Sequence, residues 1–438
     1  MQTMSSLVTT LLVLLATVTP LALLSFAPWW WLLACLLLLA SWMALSQVGQ
    51  QTWSLVKVGI ATIPRRLGSA AVVAVGIAGV VGVLVAILAI GAGFQRTLQQ
   101  AGSDDTAIVL QAGQRTETGS AVNNDSVALV SQALQILRNP HNQPIVSPEQ
   151  LITTMLPKKS TGLDASLAMR GVGEHIWELW PHIRIVAGRK FTPGLRELVS
   201  GTGAHERFSG LEVGSRVTFD GQSWTIVGVF DSGDAHTSEL WGDTRVLGTA
   251  YHHEGIVNSL TVRLKDASAF EAFKMALQSD PRLKLQFQTT RQYYNQQSED
   301  TARMIRIVGA TIGTIMAVGA IFSALNATYM AIASRSHEIA TLRAIGFRRF
   351  PVIISLLLET MLLAAVGGIA GAALTWLIFD GFTAATTGSA GQIVFALDVS
   401  PDLLWNGLKW ALAIGFIGGL LPALRAATVP ISMGLRKL

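Results

Sequence analysis

The chain has 438 residues, of which half are hydrophobic and only 13% are charged, and its mean hydropathy is +0.46. Soluble domains average about 25% charged residues, so this composition indicates a membrane protein. The net charge of +5 is mild, and the single cysteine, Cys35, excludes an internal disulfide framework and a cysteine-rich metal site.

Six apolar segments are long enough to cross a bilayer as helices, which takes about 20 mostly apolar residues. They are Leu7–Phe26, Trp29–Ser46, Ser69–Gly93, Met304–Ala333, Val352–Phe379 and Leu403–Leu424. We predict an α-helical membrane protein with six transmembrane helices and a large α+β extracytoplasmic domain inserted between helices three and four. The predicted divisions are a hairpin (1–50), an amphipathic segment with the third helix (51–94), the outer domain (95–300) and a three-helix permease domain (301–438).

The first two segments are predicted to form a retained hairpin and not a cleaved signal peptide. No lysine or arginine precedes Lys57, so the positive region of a signal peptide is missing. Pro28 and the tryptophans that follow it stand at the turn, as residues of a membrane interface do.

Basic residues predict the orientation, because short cytoplasmic loops are rich in lysine and arginine. They concentrate after the second span, after the fourth span and in the C-terminal tail. The loop between spans five and six carries aspartates and no basic residue. The outer domain and this acidic loop are therefore predicted to face outside, and the three basic segments the cytoplasm.

Several elements of the outer domain can be predicted from local patterns. Two β-rich runs flank Asp220-Gly221 within Val217–Phe230, a strong hairpin signal. Ser259–Leu264 is typical of a strand, and Ala267–Gln278 places apolar residues on one helical face.

The fourth span is predicted to belong to a much longer helix. No proline interrupts the chain from 282 to 350, so one helix can run from about Thr290 to Ala333. Such a helix is roughly 60 Å long, whereas the hydrocarbon core is about 30 Å thick. We predict that the polar remainder forms a stalk; the alternative is a long, tilted span.

The chain contains no P-loop, and the dipeptide Gly-Lys is absent. We therefore expect ATP to be bound by a partner. We also expect no catalytic residue, metal or cofactor in this chain, because it has no G-x-S-x-G motif and no carboxylate pair that the sequence itself brings together. The outer histidines match no metal template and are predicted to be scattered surface residues; they are His141, His175, His182, His205, His236, His252 and His253. Nothing indicates nucleic-acid binding.

The stretch Ser334–Leu374 contains an E-I-x-x-L-R-A-I-G run between two spans, followed by a span with Glu359 and a Gly-Gly pair. This segment resembles the signature of MacB/FtsX-type ABC transporter permeases. The C-terminal GGLLPALRAATVPISMGLRKL resembles the end of that family, and the resemblance covers about Ser54–Leu438.

The resemblance implies that the loop after the fourth span couples to an ATPase. The residues assigned to this coupling are Arg335, Glu338, Ile339, Leu342, Arg343, Ile345 and Gly346. Ile339, Leu342 and Ile345 recur every three residues, so one apolar helical stripe can dock into a groove of a partner. A helix on an anionic lipid surface is the alternative.

Two further features lie inside the fifth span. Glu359 is an intramembrane carboxyl group, which by default suggests function, and we predict a structural or coupling role over proton relay. Gly367, Gly368 and Gly371 include a G-x-x-x-G pattern that permits close helix packing. The resemblance implies a homodimer, for which these glycines are candidate contacts.

The predicted function is the permease subunit of an ABC complex in a bacterial inner membrane. A separate cytoplasmic ATPase would drive movement of the outer domain, and thereby export or extract a lipoprotein, peptide, lipid or drug. The resemblance also implies a periplasmic adaptor and an outer-membrane duct as partners. The alternatives are an FtsX-like regulator of a cell-wall hydrolase, and a receptor or adhesin that uses no nucleotide.

Overall fold

The structure is a computed structural model that describes residues 28–388 and 391–428. The chain divides into two compact units. The membrane unit comprises Met1–Ile90, Met304–Gly381 and Asp398–Leu438, and the outer unit comprises Gly91–Arg303 and Phe382–Leu397.

The helices of the described residues are named in chain order. They are α1 (Trp29–Leu45), α2 (Gln47–Thr62), α3 (Leu67–Gln100), α4 (Asn124–Ser131), α5 (Ile176–Leu179), α6 (Thr202–Arg207), α7 (Thr244–Ala250), α8 (Ala269–Gln278), α9 (Thr290–Ser334), α10 (Ser336–Ala344), α11 (Arg349–Phe379) and α12 (Pro401–Thr428). Short 3₁₀ turns lie at Ile63–Arg66, directly after α2, at Glu117–Gly119 and at Ala235–Ser238.

The strands are named in the same way. They are β1 (Thr106–Gln111), β2 (Val122–Asn123), β3 (Val146–Pro157), β4 (Asp164–Val172), β5 (Arg184–Gly188), β6 (Glu197–Gly201), β7 (Arg216–Phe219), β8 (Gln222–Asp231), β9 (Glu239–Asp243), β10 (Ile256–Val257), β11 (Ser259–Arg263), β12 (Leu285–Thr289), β13 (Thr383–Thr387) and β14 (Gln392–Ala396).

Four helices of the described residues, α3, α9, α11 and α12, are long and apolar enough to cross a membrane. They contain the third to sixth predicted spans, so those four predictions are confirmed. The second predicted span is a 17-residue helix, α1, shorter than the other four. The first, Leu7–Phe26, lies outside the described residues, so the prediction of six spans is not confirmed.

The four long helices pack around one apolar core. One face of α3 places Ile77, Val81 and Val85 in a core that also contains Ala320 of α9 and Ala411 of α12. Helices in lipid associate through van der Waals contact between surfaces of this kind, since lipid offers no hydrophobic driving force. The polar N-terminal part of α9 continues without a break into its apolar part, as the missing prolines predicted.

The outer unit is built on a ten-stranded sheet with the order β12-β1-β11-β3-β4-β9-β6-β8-β5, in which β7 pairs with β8. The predicted hairpin is confirmed: Asp220 and Gly221 join β7 to β8 with φ of 46° and 79°. Two positive φ values match the twist of a two-residue hairpin. The predicted strand at Ser259 is β11, and the predicted helix is α8, which buries Phe273.

The segment between α11 and α12 is a β-hairpin and not only an acidic loop. Strands β13 and β14 pair with each other and belong to the outer unit. The Val394 amide donates to the Ser238 hydroxyl at 2.8 Å, and Phe395 stacks edge-on against Phe94 with ring centroids 5.7 Å apart. The outer unit is therefore discontinuous in sequence, a feature absent from the predicted domain boundaries.

Candidate functional site

The loop between α9 and α11 contains the short helix α10, whose end is explained by its sequence. Gly346 has a φ of +110°, a conformation that glycine adopts without strain. Its amide donates to the Arg343 carbonyl and the next amide, of Phe347, donates to the Leu342 carbonyl, both at 3.2 Å. This pair of bonds is the Schellman motif, so Gly346 serves to terminate the helix.

The apolar stripe predicted for partner docking is divided between two surfaces. Ile339 and Leu342 pack on a buried cluster that includes Leu55 of α2 and Leu356 of α11. Ile345, in contrast, is 73% exposed. Ile339 and Leu342 therefore hold α10 against its own bundle, and the predicted docking role of the three residues stays a prediction.

The exposed surface of α10 is formed by the residues that do not pack against the membrane bundle. His337, Glu338, Thr341 and Ala344 are exposed on the helix, and Ile345 follows them. Arg348 and Arg349, just after the helix, are exposed as well and keep the region basic. A partner that approaches α10 would thus meet mostly polar and basic groups around Ile345, with the exposed Phe350 close by in sequence.

Glu359 lies on α11 and is buried, with 6% of its surface exposed. Its carboxylate forms ion pairs with Arg66, which ends the 3₁₀ turn after α2, and with Arg335, which precedes α10. The Arg335 Nη1 atom lies 3.4 Å from Glu359 Oε2, and its Nε atom lies 3.2 Å from Glu338 Oε2. The predicted coupling residues Arg335 and Glu338 are thereby connected to the predicted intramembrane carboxyl group.

The three glycines of α11 pack within the chain. A methyl group on Gly367 or Gly371 would collide with the backbone of α3 at Ala74 or Ala78, and one on Gly368 would collide with Ala411 of α12. The prediction of close helix packing is confirmed. Neighbouring helices of the same chain already cover these glycines, and their role as dimer contacts stays a prediction.

The outer unit contains a buried charged cluster that the sequence did not predict. Arg170 on β4 is only 4% exposed and contacts three carboxylates. Its Nη1 atom lies 2.8 Å from Glu117 and 2.7 Å from Glu149, and its Nε atom lies 2.8 Å from Glu239. Burial opposes the charge on Arg170, but these carboxylates raise its pKa; burial itself raises the pKa of Glu149.

His236 lies beside this cluster. Because it is buried, the prediction that all the outer histidines are scattered surface residues is wrong for His236. It is buried, with Nδ1 3.0 Å from Asp234 and Nε2 3.1 Å from the Tyr294 hydroxyl. Burial alone would lower the pKa of His236, yet the Asp234 carboxylate raises it to about 9. No set of three or more His, Cys, Asp or Glu side chains among residues 28–388 and 391–428 could hold a metal ion.

Comparison with known families matches both units. Residues 70–280 match the MacB-like periplasmic core domain, and residues 310–431 match the FtsX-like permease C-terminal domain. Among the described residues, four helices are long and apolar enough to span a membrane, and together with the matched α+β and permease domains they define a multi-pass membrane protein of the ABC transporter class. The chain belongs to the MacB/FtsX-type family of ABC transporter permeases.

Individual relatives are distant. A Vibrio parahaemolyticus protein named macrolide export ATP-binding/permease protein MacB is 26% identical over 203 residues, which cover 44% of this chain and 30% of that protein. The Neisseria gonorrhoeae protein of the same name is 23% identical over 311 residues, which cover 65% of this chain and 46% of that protein. An uncharacterized ABC transporter permease, YknZ of Bacillus subtilis, is 28% identical over 136 residues, which cover 31% of this chain and 32% of that protein. The chain therefore matches less than half the length of each of these relatives.

Proposed function

We propose that this chain is the permease subunit of an ABC complex and that a separate cytoplasmic ATPase supplies the energy. In this proposal the chain has no enzyme activity of its own, and two copies work with the ATPase in a bacterial inner membrane. Nucleotide-driven movement at α10 displaces the outer unit and exports or extracts an envelope substrate. A periplasmic adaptor and an outer-membrane duct complete the assembly.

The observation that carries the proposal is the position of α10. It stands between two membrane-spanning helices, its inner face packs on the bundle, and its outer face is exposed. A helix held in this way transmits a push to α9 and α11, because packed elements move as rigid bodies and not as independent side chains.

Export is favoured over the FtsX-like regulatory alternative by the relatives. Two of them carry the printed name macrolide export ATP-binding/permease protein. We extend only the class of activity to this chain, namely ATP-driven export, and leave the substrate open among the envelope molecules named above. A receptor or adhesin that uses no nucleotide remains the competing class, and the ATPase test below separates it from ours.

The test is co-purification of an ABC ATPase with the full chain in detergent, followed by substitution of the exposed surface of α10. Ile345→Asp places a charge at the exposed apolar residue and should reduce the bound ATPase at least about tenfold, as loss of a central apolar anchor does. Leu134→Asp is the control, since Leu134 is equally exposed but lies in the outer unit. The proposal is wrong if no ATPase co-purifies, or if Ile345→Asp retains as much ATPase as Leu134→Asp.

A further inference from the structure

Three segments of the membrane unit meet at one carboxylate. Glu359 of α11 pairs with Arg66, at the end of the 3₁₀ turn after α2, and with Arg335, at the start of α10. The two arginines are 269 positions apart in sequence (335 minus 66). Glu359 is thus a shared acceptor for two elements that have no covalent link near it.

The surroundings of Glu359 are built to accept a charge. Gly59 of α2 faces the carboxylate, and a methyl group placed there would lie 2.9 Å from Glu359 Oε2. Any larger residue would push the carboxylate away from its position. A charge buried in an apolar bundle is costly unless it is paired, so the two arginines are required for this arrangement.

Apolar packing connects the same elements. Leu55 of α2, Ile339 and Leu342 of α10, and Leu356 of α11 belong to one cluster beside the ion pairs. Apolar contacts are non-directional and tolerate sliding, whereas an arginine–carboxylate pair fixes a specific geometry. The apolar cluster holds α2, α10 and α11 together, and the ion pairs fix where α2 and α10 lie along α11.

We propose that Glu359 is a positioning residue that fixes the start of α10 through Arg335 and the end of α2 through Arg66. Both elements therefore move with α11. The consequence for transport depends on the proposed function: a displacement of α10 reaches α2 and α11 together. The positioning itself can be measured without any ATPase, so the two proposals can fail separately.

The experiment measures how fast buried cysteines react with a maleimide in the purified full chain. The native cysteine is first removed by Cys35→Ser. Ala340→Cys then reports on α10, Val56→Cys on α2, and Ala317→Cys on the bundle core, since all three native residues are buried. Labelling rates of buried sites follow local opening.

Each arginine should control its own element. Arg335→Gln should accelerate labelling at position 340 but not at 56, and Arg66→Gln should do the reverse. Glu359→Gln should accelerate both by at least about tenfold, because removal of one partner leaves buried charges unpaired. The matched control is Glu338→Gln: its carboxylate contacts the same Arg335 but is 60% exposed, and it should change neither rate.

The reporter at position 317 distinguishes positioning from general stability. Glu359→Gln should leave labelling at 317 within twofold of the parent chain, and Glu359→Asp should restore part of the protection at 340 and 56. The proposal is overturned if Glu359→Gln accelerates all three sites alike, or if it leaves positions 340 and 56 unchanged.

Discussion

The imidazole of His236 and the phenol of Tyr294 are joined by a 3.1 Å hydrogen bond, which connects the turn before β9 to the second turn of α9. The other ring nitrogen of His236 faces Asp234 at 3.0 Å. A protonated His236 donates to both partners. The N-terminal part of α9 is thereby fixed to the sheet of the outer unit by a charged hydrogen-bond chain.

The stability of the outer unit should depend on pH through His236. Its pKa is raised to about 9 against an ordinary value near 6.5. A raised pKa gives stabilisation that is complete below about pH 6.5 and is lost as the pH rises through about 9. The melting temperature of the full chain should therefore fall between these pH values.

Tryptophan fluorescence offers a local readout, because Trp180 and Trp241 lie 5.9 and 5.6 Å from the His236 ring. His236→Gln should be less stable than wild type at pH 6.5 and should lose most of the pH dependence. His141→Gln, an exposed histidine, serves as the control. An unchanged pH profile in His236→Gln would contradict the assignment.

Arg170→Met should destabilise the outer unit severely. Two buried carboxylates, Glu117 and Glu149, and the partly buried Glu239 lose their common partner, and breaking a buried ion pair from one side costs about 3–5 kcal/mol. Arg189→Met is the matched control, because the Arg189 side chain is 55% exposed and pairs with Glu197 at the surface. Surface pairs contribute about 0–1 kcal/mol. Denaturant unfolding should show a large difference between the two variants; similar midpoints would contradict it.

Gly371→Ala should disturb the contact between α11 and α3. The added methyl group collides with the backbone at Ala78, and a backbone cannot rotate away as a side chain does. We expect a loss of about 1–3 kcal/mol, as overpacking generally produces, measured as thermal stability in detergent. Gly76→Ala on α3 is the control, since no atom lies within 4 Å of its added methyl group. Equal stability of the two variants would refute close packing at Gly371.

The predicted orientation can be tested with single cysteines after Cys35→Ser. Thr161 is exposed in the turn between β3 and β4, so Thr161→Cys should react with a membrane-impermeant maleimide in cells whose inner membrane is intact. Arg348→Cys, beside α10, should react only after that membrane is permeabilised. The opposite pattern would invert the orientation and remove α10 from the side where ATPases act.

The elements that could be predicted from sequence depend on local signals. The absence of proline predicted that α9 is continuous, and Asp220-Gly221 predicted the β7–β8 hairpin. The length of the apolar segments predicted the four spans. Each of these needs only neighbouring residues. The resemblance over Ser334–Leu374 identified the family for the same reason, since its motif is contiguous.

The features that escaped prediction depend on contacts between distant residues. The spacing of Ile339, Leu342 and Ile345 defines a stripe but does not say that α11 and α12 cover two of them. His236 lies two residues after Asp234, but its other hydrogen-bond partner, Tyr294, is 58 positions away. A histidine two residues after an aspartate, followed by a tryptophan-containing strand, was the available signal.

The discontinuity of the outer unit has a consequence for biosynthesis. Its last segment contains β13 and β14 and ends at Leu397, which is synthesised 94 residues after Arg303 (397 minus 303). At bacterial synthesis rates that interval lasts roughly 5–20 s. During it, the surface around Ser238 that receives Val394 must wait for its partner strand, and α11 must already have been made. Completion of the outer unit is therefore a late event, because its last two strands are synthesised only after α9 and α11.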